Sequence, residues 1–192
     1  MNGKRHLGGS IGQDTFVQAY VTNKIAKWIV ELDNLMKIAA TQPHCAYAAC
    51  RRSLTSRWTY LARTVPGIDD LFQPLEDALR QRFIPALTGG HCPGNTERKP
   101  LALPTRFGGL GLLDPTALPR DQYNASVCIS GPLIALIVQQ ERNLGKTLAE
   151  QDKLRAKVKN ERRQDQASQA QAELSTALQR CVDLASEKGA ST

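Results

Sequence analysis

The sequence lacks a long apolar run. Of its 192 residues 41% are hydrophobic, but none of the apolar stretches approaches the ~18 consecutive residues of a membrane-spanning helix. The longest candidate, residues 132–138, is far too short. The N-terminus also lacks the apolar core of a secretory signal peptide. We therefore expect an intracellular protein, cytoplasmic or nuclear, without a membrane partner.

Aromatic residues are few, at 5%, and the cysteines lack a useful spacing. Neither His44-Cys45 with Cys50 nor His91-Cys92 repeats the paired spacing of zinc ligands. Cysteines this scattered and odd in number are typical of free thiols in a reducing compartment. The sequence thus predicts no metal and no cofactor. The five cysteines are Cys45, Cys50, Cys92, Cys128 and Cys181.

A catalytic constellation is missing as well. Asp69 and Asp70 follow a Pro-Gly break and open a helix, where carboxylates complement the helix dipole. No third carboxylate in a comparable context joins them to hold metal ions for phosphoryl transfer. Nothing in the sequence picks out a base that would activate a serine or cysteine nucleophile. We expect no enzyme in this chain on its own.

What the chain has in excess is positive charge and helical periodicity. Its 25 Lys and Arg residues against 18 Asp and Glu residues give a formal net charge of +7, which favours a polyanionic partner. Apolar residues from Phe16 recur in steps of three and four after Asp14, a plausible N-cap, which predicts a first helix of about six turns. Pro43 starts a second helix that Pro66-Gly67 ends.

The remaining pattern predicts a mainly α fold. Pro74 and Pro85 kink or divide a third helix, and residues 88–100 are interpreted as a loop. A helix from Pro119 to about Gln140 is interrupted at 130–132. We expect an irregular helical bundle with a short N-terminal strand or hairpin-like segment and a long projecting C-terminal helix. The predicted parts are a strand-like segment (1–13), a helical domain (14–140) and a charged helix or partly disordered tail (141–192).

Two basic blocks are candidate contacts for a polyanion. The second helix carries four arginines without an acidic residue between them. They either contact a phosphate backbone or lie on the solvent-exposed side of a helix whose apolar side is buried. We weigh these interpretations equally. A block in the C-terminal helix has six cations against Glu161 and predicts nonspecific, salt-sensitive affinity. The first block is Arg51, Arg52, Arg57 and Arg63, and the second is Lys153, Arg155, Lys157, Lys159, Arg162 and Arg163.

Three glycines in LALPTRFGGLGLLDP, residues 101–115, raise the alternative of a nucleotide-binding loop. The stretch matches neither the phosphate-loop pattern G-x-x-x-x-G-K-[ST] nor the dinucleotide pattern G-x-G-x-x-G. Gly108, Gly109 and Gly111 therefore indicate a tight backbone path. Leu110, Leu112 and Leu113 would anchor this path in the core, and Asp114-Pro115 would turn the chain out of it.

Several segments, in order, resemble one family. RHLGGSIG (5–12) resembles the segment that forms the primer grip of non-LTR-type reverse transcriptases of eukaryotic retroelements. KIAKWIVELDNL, SRWTYLARTVPG and FQPLEDALRQRFIPALTG resemble the thumb and connection region that follows it. LALPTRFGGLGLLDP is similar to a segment of the family that leads to later helices. The likeness covers residues 4–140.

The resemblance implies a part of a polymerase without its chemistry. The metal-binding Tyr-x-Asp-Asp motif of the family would lie upstream of the grip. The Asp69-Asp70 pair lies downstream of the grip, with Gly67 where the tyrosine would be. We expect the post-palm part of a reverse transcriptase that binds an RNA/DNA template–primer duplex. The resemblance adds Arg5, within the grip-like segment, to the candidate contacts.

A second hypothesis uses the C-terminal helix for protein contacts. Apolar residues return to a helical spacing near its end and would pair the helix with itself or with a partner. The heptad pattern lapses between Lys159 and Gln169, which weakens a coiled-coil interpretation. The chain would then be a helical interaction module without a nucleic-acid role. The stripe consists of Leu174, Leu178, Cys181 and Ala185.

Overall fold

The fold is mainly α with a short N-terminal hairpin, as predicted. The computed structural model describes residues 3–141 and 144–189, with side chains up to Thr176. An antiparallel hairpin of two strands precedes eight α-helices in the described chain. The strands are β1 (Gly3–His6) and β2 (Gly9–Gly12). The helices are α1 (Asp14–Ala39), α2 (Pro43–Ala49), α3 (Thr55–Thr64), α4 (Gln73–Ala78), α5 (Ile84–Thr88), α6 (Asn95–Ala102), α7 (Leu118–Gln139) and α8 (Leu144–Gly189).

The hairpin is tied to two helices through its turn. Leu7 and Gly8 adopt φ values of 45° and 86°, the left-handed backbone of a two-residue hairpin turn. The Tyr20 hydroxyl on α1 donates a hydrogen bond of 2.7 Å to the Gly8 carbonyl oxygen. The Tyr60 hydroxyl on α3 donates to the Leu7 carbonyl oxygen. The strand pair therefore lies against α1 and α3.

Helix α1 buries the apolar stripe that its sequence predicts. Its residues at three- and four-residue spacing face the core, where they are at most 5% exposed. The N-cap is Gln13 and not Asp14, so this detail of the prediction is wrong. Asp14 instead lies in the first turn, where its carboxylate complements the helix dipole. The buried residues of the stripe are Val21, Ile25, Trp28, Leu32 and Ala39.

The second predicted helix is one continuous rod with a π-helical segment. Pro43 begins α2, where its missing N–H removes no hydrogen bond of the helix. The π-helical segment Cys50–Leu54 joins α2 to α3. Leu54, Trp58 and Leu61 are buried along the inner side. The rod ends at Thr64, just before the predicted break at Pro66-Gly67.

The third predicted helix is divided in the same way. A 3₁₀ turn, Asp69–Phe72, leads into α4, with Pro74 in the first turn of that helix. The π-helical segment Leu79–Phe83 then leads into α5, where Pro85 is again in the first turn. Both the 3₁₀ turn and the π-helical segment pack on α1. The Phe72 ring of the 3₁₀ turn has its centroid 6.5 Å from that of Trp28 on α1.

The loop predicted at residues 88–100 contains a helix, so that prediction is wrong for its second half. Helix α6 begins at Asn95 because Gly94 provides an extended N-cap. The Gly94 backbone N–H donates to the Glu97 carboxylate at 2.8 Å, which satisfies one donor at the helix start. Pro100 lies inside the helix and removes a single backbone donor.

The predicted interruption at residues 130–132 is also wrong. Helix α7 runs unbroken from Leu118 to Gln139 with Pro132 inside it. Pro132 removes one ladder hydrogen bond, and the helix tolerates this loss within its 22 residues. The Ser130 hydroxyl donates to the Ser126 carbonyl oxygen at 2.8 Å, one turn back along the same helix.

Helix α8 is the long C-terminal helix, and part of it is packed. It lies against α7 and α6, and Gln151 and Ala170 are buried there, at 5% and 2% exposure. Leu174 is 44% exposed. The side chains of Leu178, Cys181 and Ala185 lie outside the described residues. No described helix combines the length and the apolar character that a membrane span requires.

Candidate nucleic-acid interface

A groove of about 420 Å³ lies between α3, α7 and α8 and is rich in positive charge. We call it the basic groove. Five of its described lining side chains are cationic, and none of the lining residues that the structure describes is acidic. It is lined by Arg63 from α3, by Gln122, Ala125, Ser126 and Ile129 from α7, and by Arg155, Val158, Lys159, Arg162, Arg163 and Gln166 from α8.

The α8 cations share a face because of their spacing. Residues 155, 159, 162 and 163 stand at i, i+4, i+7 and i+8, positions that follow one stripe of an α-helix. Across the groove Arg63 occupies the last turn of α3. Cations from elements almost a hundred residues apart therefore converge on one concavity.

Local contacts hold two of these side chains in place. Arg155 Nη1 lies 3.2 Å from the Asp152 carboxylate, one turn away on the same helix. Arg162 Nη2 donates to the Asp121 carbonyl oxygen at 3.2 Å. Each guanidinium has five N–H donors, so both keep donors for a ligand. Lys159 and Arg163 are exposed to solvent.

The arrangement suits phosphate groups better than a neutral ligand. Arginines on rigid helices present forked donors that match phosphate oxygens. Ala125, Ile129 and Val158 add apolar side chains to the lining. Such a surface contacts a sugar–phosphate backbone without reading base edges.

The structure separates the four arginines of the second predicted helix. Only Arg63 lines the basic groove. Arg57 makes a two-pronged ion pair with Glu31, in which Nη1 donates to Oε1 at 3.0 Å. The Arg51 guanidinium packs against Gly111, where an added Cβ would lie 2.8 Å from it. Arg52 is exposed on the π-helical segment.

The other predicted contacts divide as well. Arg155 and Lys159 line the basic groove, together with Arg162 and Arg163 of the same block. Lys153 is exposed on α8 outside the described lining, and Lys157 lies 3.9 Å from Glu161. Arg5 is exposed on β1, paired with Ser10 in the hairpin register.

The glycines of residues 101–115 shape the backbone. We call residues 103–113 the glycine loop. Gly108 and Gly111 have φ values of 82° and 64°, which favour glycine. A Cβ on Gly109 would lie 2.1 Å from the Leu103 carbonyl oxygen. The predicted tight path is therefore present. Of the three leucines expected to anchor it, Leu112 is buried, whereas Leu110 and Leu113 are half-buried.

A buried ion pair that the sequence interpretation missed anchors this loop. Arg98 on α6 donates to both Glu76 carboxylate oxygens, at 2.6 and 2.7 Å. It also donates to the Leu112 and Leu113 carbonyl oxygens, at 2.7 and 3.2 Å. Burial raises the pKa of the Glu76 carboxyl, and the Arg98 guanidinium opposes that shift.

Two residues considered above as possible metal ligands, Asp69 and His91, have partners within the fold. The Asp69 carboxylate accepts the Arg120 backbone N–H at 3.0 Å, at the start of α7. His91 Nε2 lies 3.0 Å from the Glu97 carboxylate. Within the described part of the chain, no three His, Cys, Asp or Glu side chains gather as they would around a metal ion.

Comparisons with known proteins add no relative. No protein-family model, curated protein or solved structure matches the chain. The basic groove is therefore the feature of the molecule from which we infer a function.

Proposed function

We propose that the chain holds the sugar–phosphate backbone of an RNA/DNA template–primer duplex in the basic groove, without reading its sequence. It would act as the post-palm part of a reverse transcriptase from a retroelement, with no catalysis of its own. The main support for the binding role is that Arg63 and four cations of α8 line one groove. None of the groove's lining residues that the structure describes is acidic.

The electrostatics favour this partner over a small anion. Five cations in one groove can contact several phosphates of a continuous strand. Their placement on two helices, α3 and α8, supports contacts to more than one phosphate of that strand. Binding of this kind falls steeply with salt and varies little with sequence.

The first test compares two charge-matched triple variants. Arg155→Gln, Lys159→Gln and Arg163→Gln together remove three groove cations. Lys4→Gln, Lys27→Gln and Lys37→Gln remove three exposed cations from β1 and α1. Fluorescence anisotropy with a labelled RNA/DNA duplex is measured across a salt series. We expect the groove triple to lose about tenfold or more in affinity and to flatten the salt slope by roughly two to three.

The control triple should leave the slope nearly unchanged. Equal losses in both triples would mean diffuse attraction to a basic chain and would reject the groove. Single variants sharpen the comparison within one helix. Arg63→Ala should weaken binding more than Arg52→Ala, because only Arg63 faces the groove.

An exposed apolar surface favours a second candidate, a helical protein-interaction module. Five large apolar side chains at the end of α7 and the start of α8 are between 43% and 75% exposed. Light scattering tests this role: a stable dimer that is lost on deletion of residues 141–192, without duplex binding, would support it over the first. The side chains are Ile134, Ile137, Val138, Leu144 and Leu148.

A further inference from the structure

Helix α8 docks on the rest of the chain through a mostly polar seam. The less exposed residues of its described part recur every three or four positions, as for one face of a helix. Only three of these eight are apolar, whereas a helix that docks by burial shows a broad apolar stripe. The seam consists of Thr147, Gln151, Leu154, Val158, Arg162, Gln166, Ala170 and Glu173.

The contacts across this seam are individually weak. Gln151 Nε2 donates to the Ile129 carbonyl oxygen at 3.2 Å. Arg106 Nη2 donates to Gln166 Oε1 at 2.7 Å in an exposed position. Lys99 Nζ lies 3.5 Å from Glu173, and its side chain is 70% exposed. Exposed pairs of this kind add little stability.

The basic groove opposes the same docking. When α8 lies on α7, four of its cations share a groove with Arg63. Like charges in one concavity repel. Among the described residues the Asp152 carboxylate, 3.2 Å from Arg155, offsets part of one of these charges, and none of the described lining residues is acidic. The docked position of α8 therefore combines modest attraction along the seam with repulsion across the groove.

We propose that α8 is an arm whose docking is coupled to occupation of the basic groove by a multivalent anion. An anion that bridges Arg63 and the α8 cations replaces repulsion with attraction and favours the docked position. By thermodynamic linkage, stronger docking raises affinity for the anion by the same factor. The identity of the natural ligand rests on the proposed function, but the coupling itself requires only a ligand with several linked negative charges.

Amide hydrogen exchange of the full chain tests the coupling directly. Exchange of residues 151–170 is followed by mass spectrometry with and without linear inorganic polyphosphate. The ionic strength is about 0.01 M, where screening extends over ~30 Å. We expect polyphosphate to slow exchange in 151–170 at least about threefold, while α1 serves as an unchanged reference.

The groove triple Arg155→Gln, Lys159→Gln and Arg163→Gln should imitate the effect of the anion. Without polyphosphate it should exchange about two- to fivefold more slowly in 151–170 than the unaltered chain, because the repulsion is reduced. Polyphosphate should then have little further effect. The triple Lys4→Gln, Lys27→Gln and Lys37→Gln should behave as the unaltered chain in both conditions.

Exchange in 151–170 as slow as in α1 without anion, or unchanged by polyphosphate, would overturn the coupling. So would faster exchange in the groove triple. The proposed function fails separately. If polyphosphate slows exchange in 151–170 but both triples bind the RNA/DNA duplex equally well, the coupling of α8 docking to an anion is supported and the duplex is rejected as the ligand. If duplex binding depends on the groove cations but exchange in α8 does not change with polyphosphate, only the coupling is rejected.

Discussion

At the scale of single residues, Arg98 connects three parts of the fold. Its guanidinium joins α6 to Glu76 on α4 and to two carbonyl oxygens of the glycine loop. Both members of the ion pair are buried, at 5% and 7% exposure. Loss of one partner therefore leaves a buried charge without compensation.

We expect Arg98→Met to lower the free energy of unfolding by about 3–5 kcal/mol in urea denaturation. Glu76→Leu in the same chain should restore part of that loss, because it removes the orphaned carboxylate. Lys99→Met is the matched control on the neighbouring residue and should cost less than about 1 kcal/mol. Similar losses for Arg98→Met and Lys99→Met would contradict the buried pair.

Cys50 provides a test of packing at the start of the first π-helical segment. Burial raises the pKa of its thiol to about 12, so the reactive thiolate is scarce at pH 8. We expect iodoacetamide at pH 8 to label the exposed Cys45 and Cys128 and to leave Cys50 unlabelled until the chain is unfolded. Peptide mass spectrometry reads each site, and equal labelling of Cys50 and Cys45 in the folded chain would refute its burial.

The same shift fixes the direction of a pH effect. The folded state holds the Cys50 proton more tightly than the unfolded chain. Its contribution to stability is therefore complete below the unfolded pKa. It is lost as the pH rises toward 12.

At the scale of elements, two glycines of the glycine loop are required for different reasons, one for its backbone conformation and the other for lack of space. Gly108 has φ of 82° with open space around it, whereas a Cβ on Gly109 would meet the Leu103 backbone. We expect Gly108→Ala to cost about 1 kcal/mol of strain and Gly109→Ala about 3 kcal/mol from overpacking. Thermal unfolding measures both.

Gly131 in α7 is the control for this pair. It lies inside a helix, and an added Cβ would meet nothing within 4 Å. Gly131→Ala should therefore stabilise the chain by up to about 1 kcal/mol. A stabilising Gly109→Ala would show that the loop does not pass so close to Leu103.

The sequence was most informative about elements with strong periodicity. The stripe of α1 and the start of α2 at Pro43 follow from spacing and from proline chemistry alone. Helix α6 was missed because Gly94 and Pro100 are typical of loops. Here Gly94 is the N-cap and bonds to Glu97, and the helix that contains Pro100 also contains the buried Arg98. The unbroken α7 was missed because helix packing outweighs the local cost of Pro132.

At the scale of the whole molecule, the site could be predicted only in pieces. The sequence identified Arg63 and the α8 block as basic, but the two are separated by about ninety residues. Their meeting depends on how α7 packs between them. Other tertiary contacts pair Arg57 with Glu31 on α1 and place Arg51 against the glycine loop, which no local pattern indicates.

The tyrosine contacts of the hairpin have a consequence for the order of folding. An isolated two-stranded hairpin is marginally stable in water, and this one places Leu7 in a left-handed conformation. Its turn is held by Tyr20 and by Tyr60, which lies 53 residues from Leu7. That anchorage exists only once α1 and α3 have packed together. We therefore expect the residues that come first in the described chain to acquire their structure late, on a surface built by the residues that follow them.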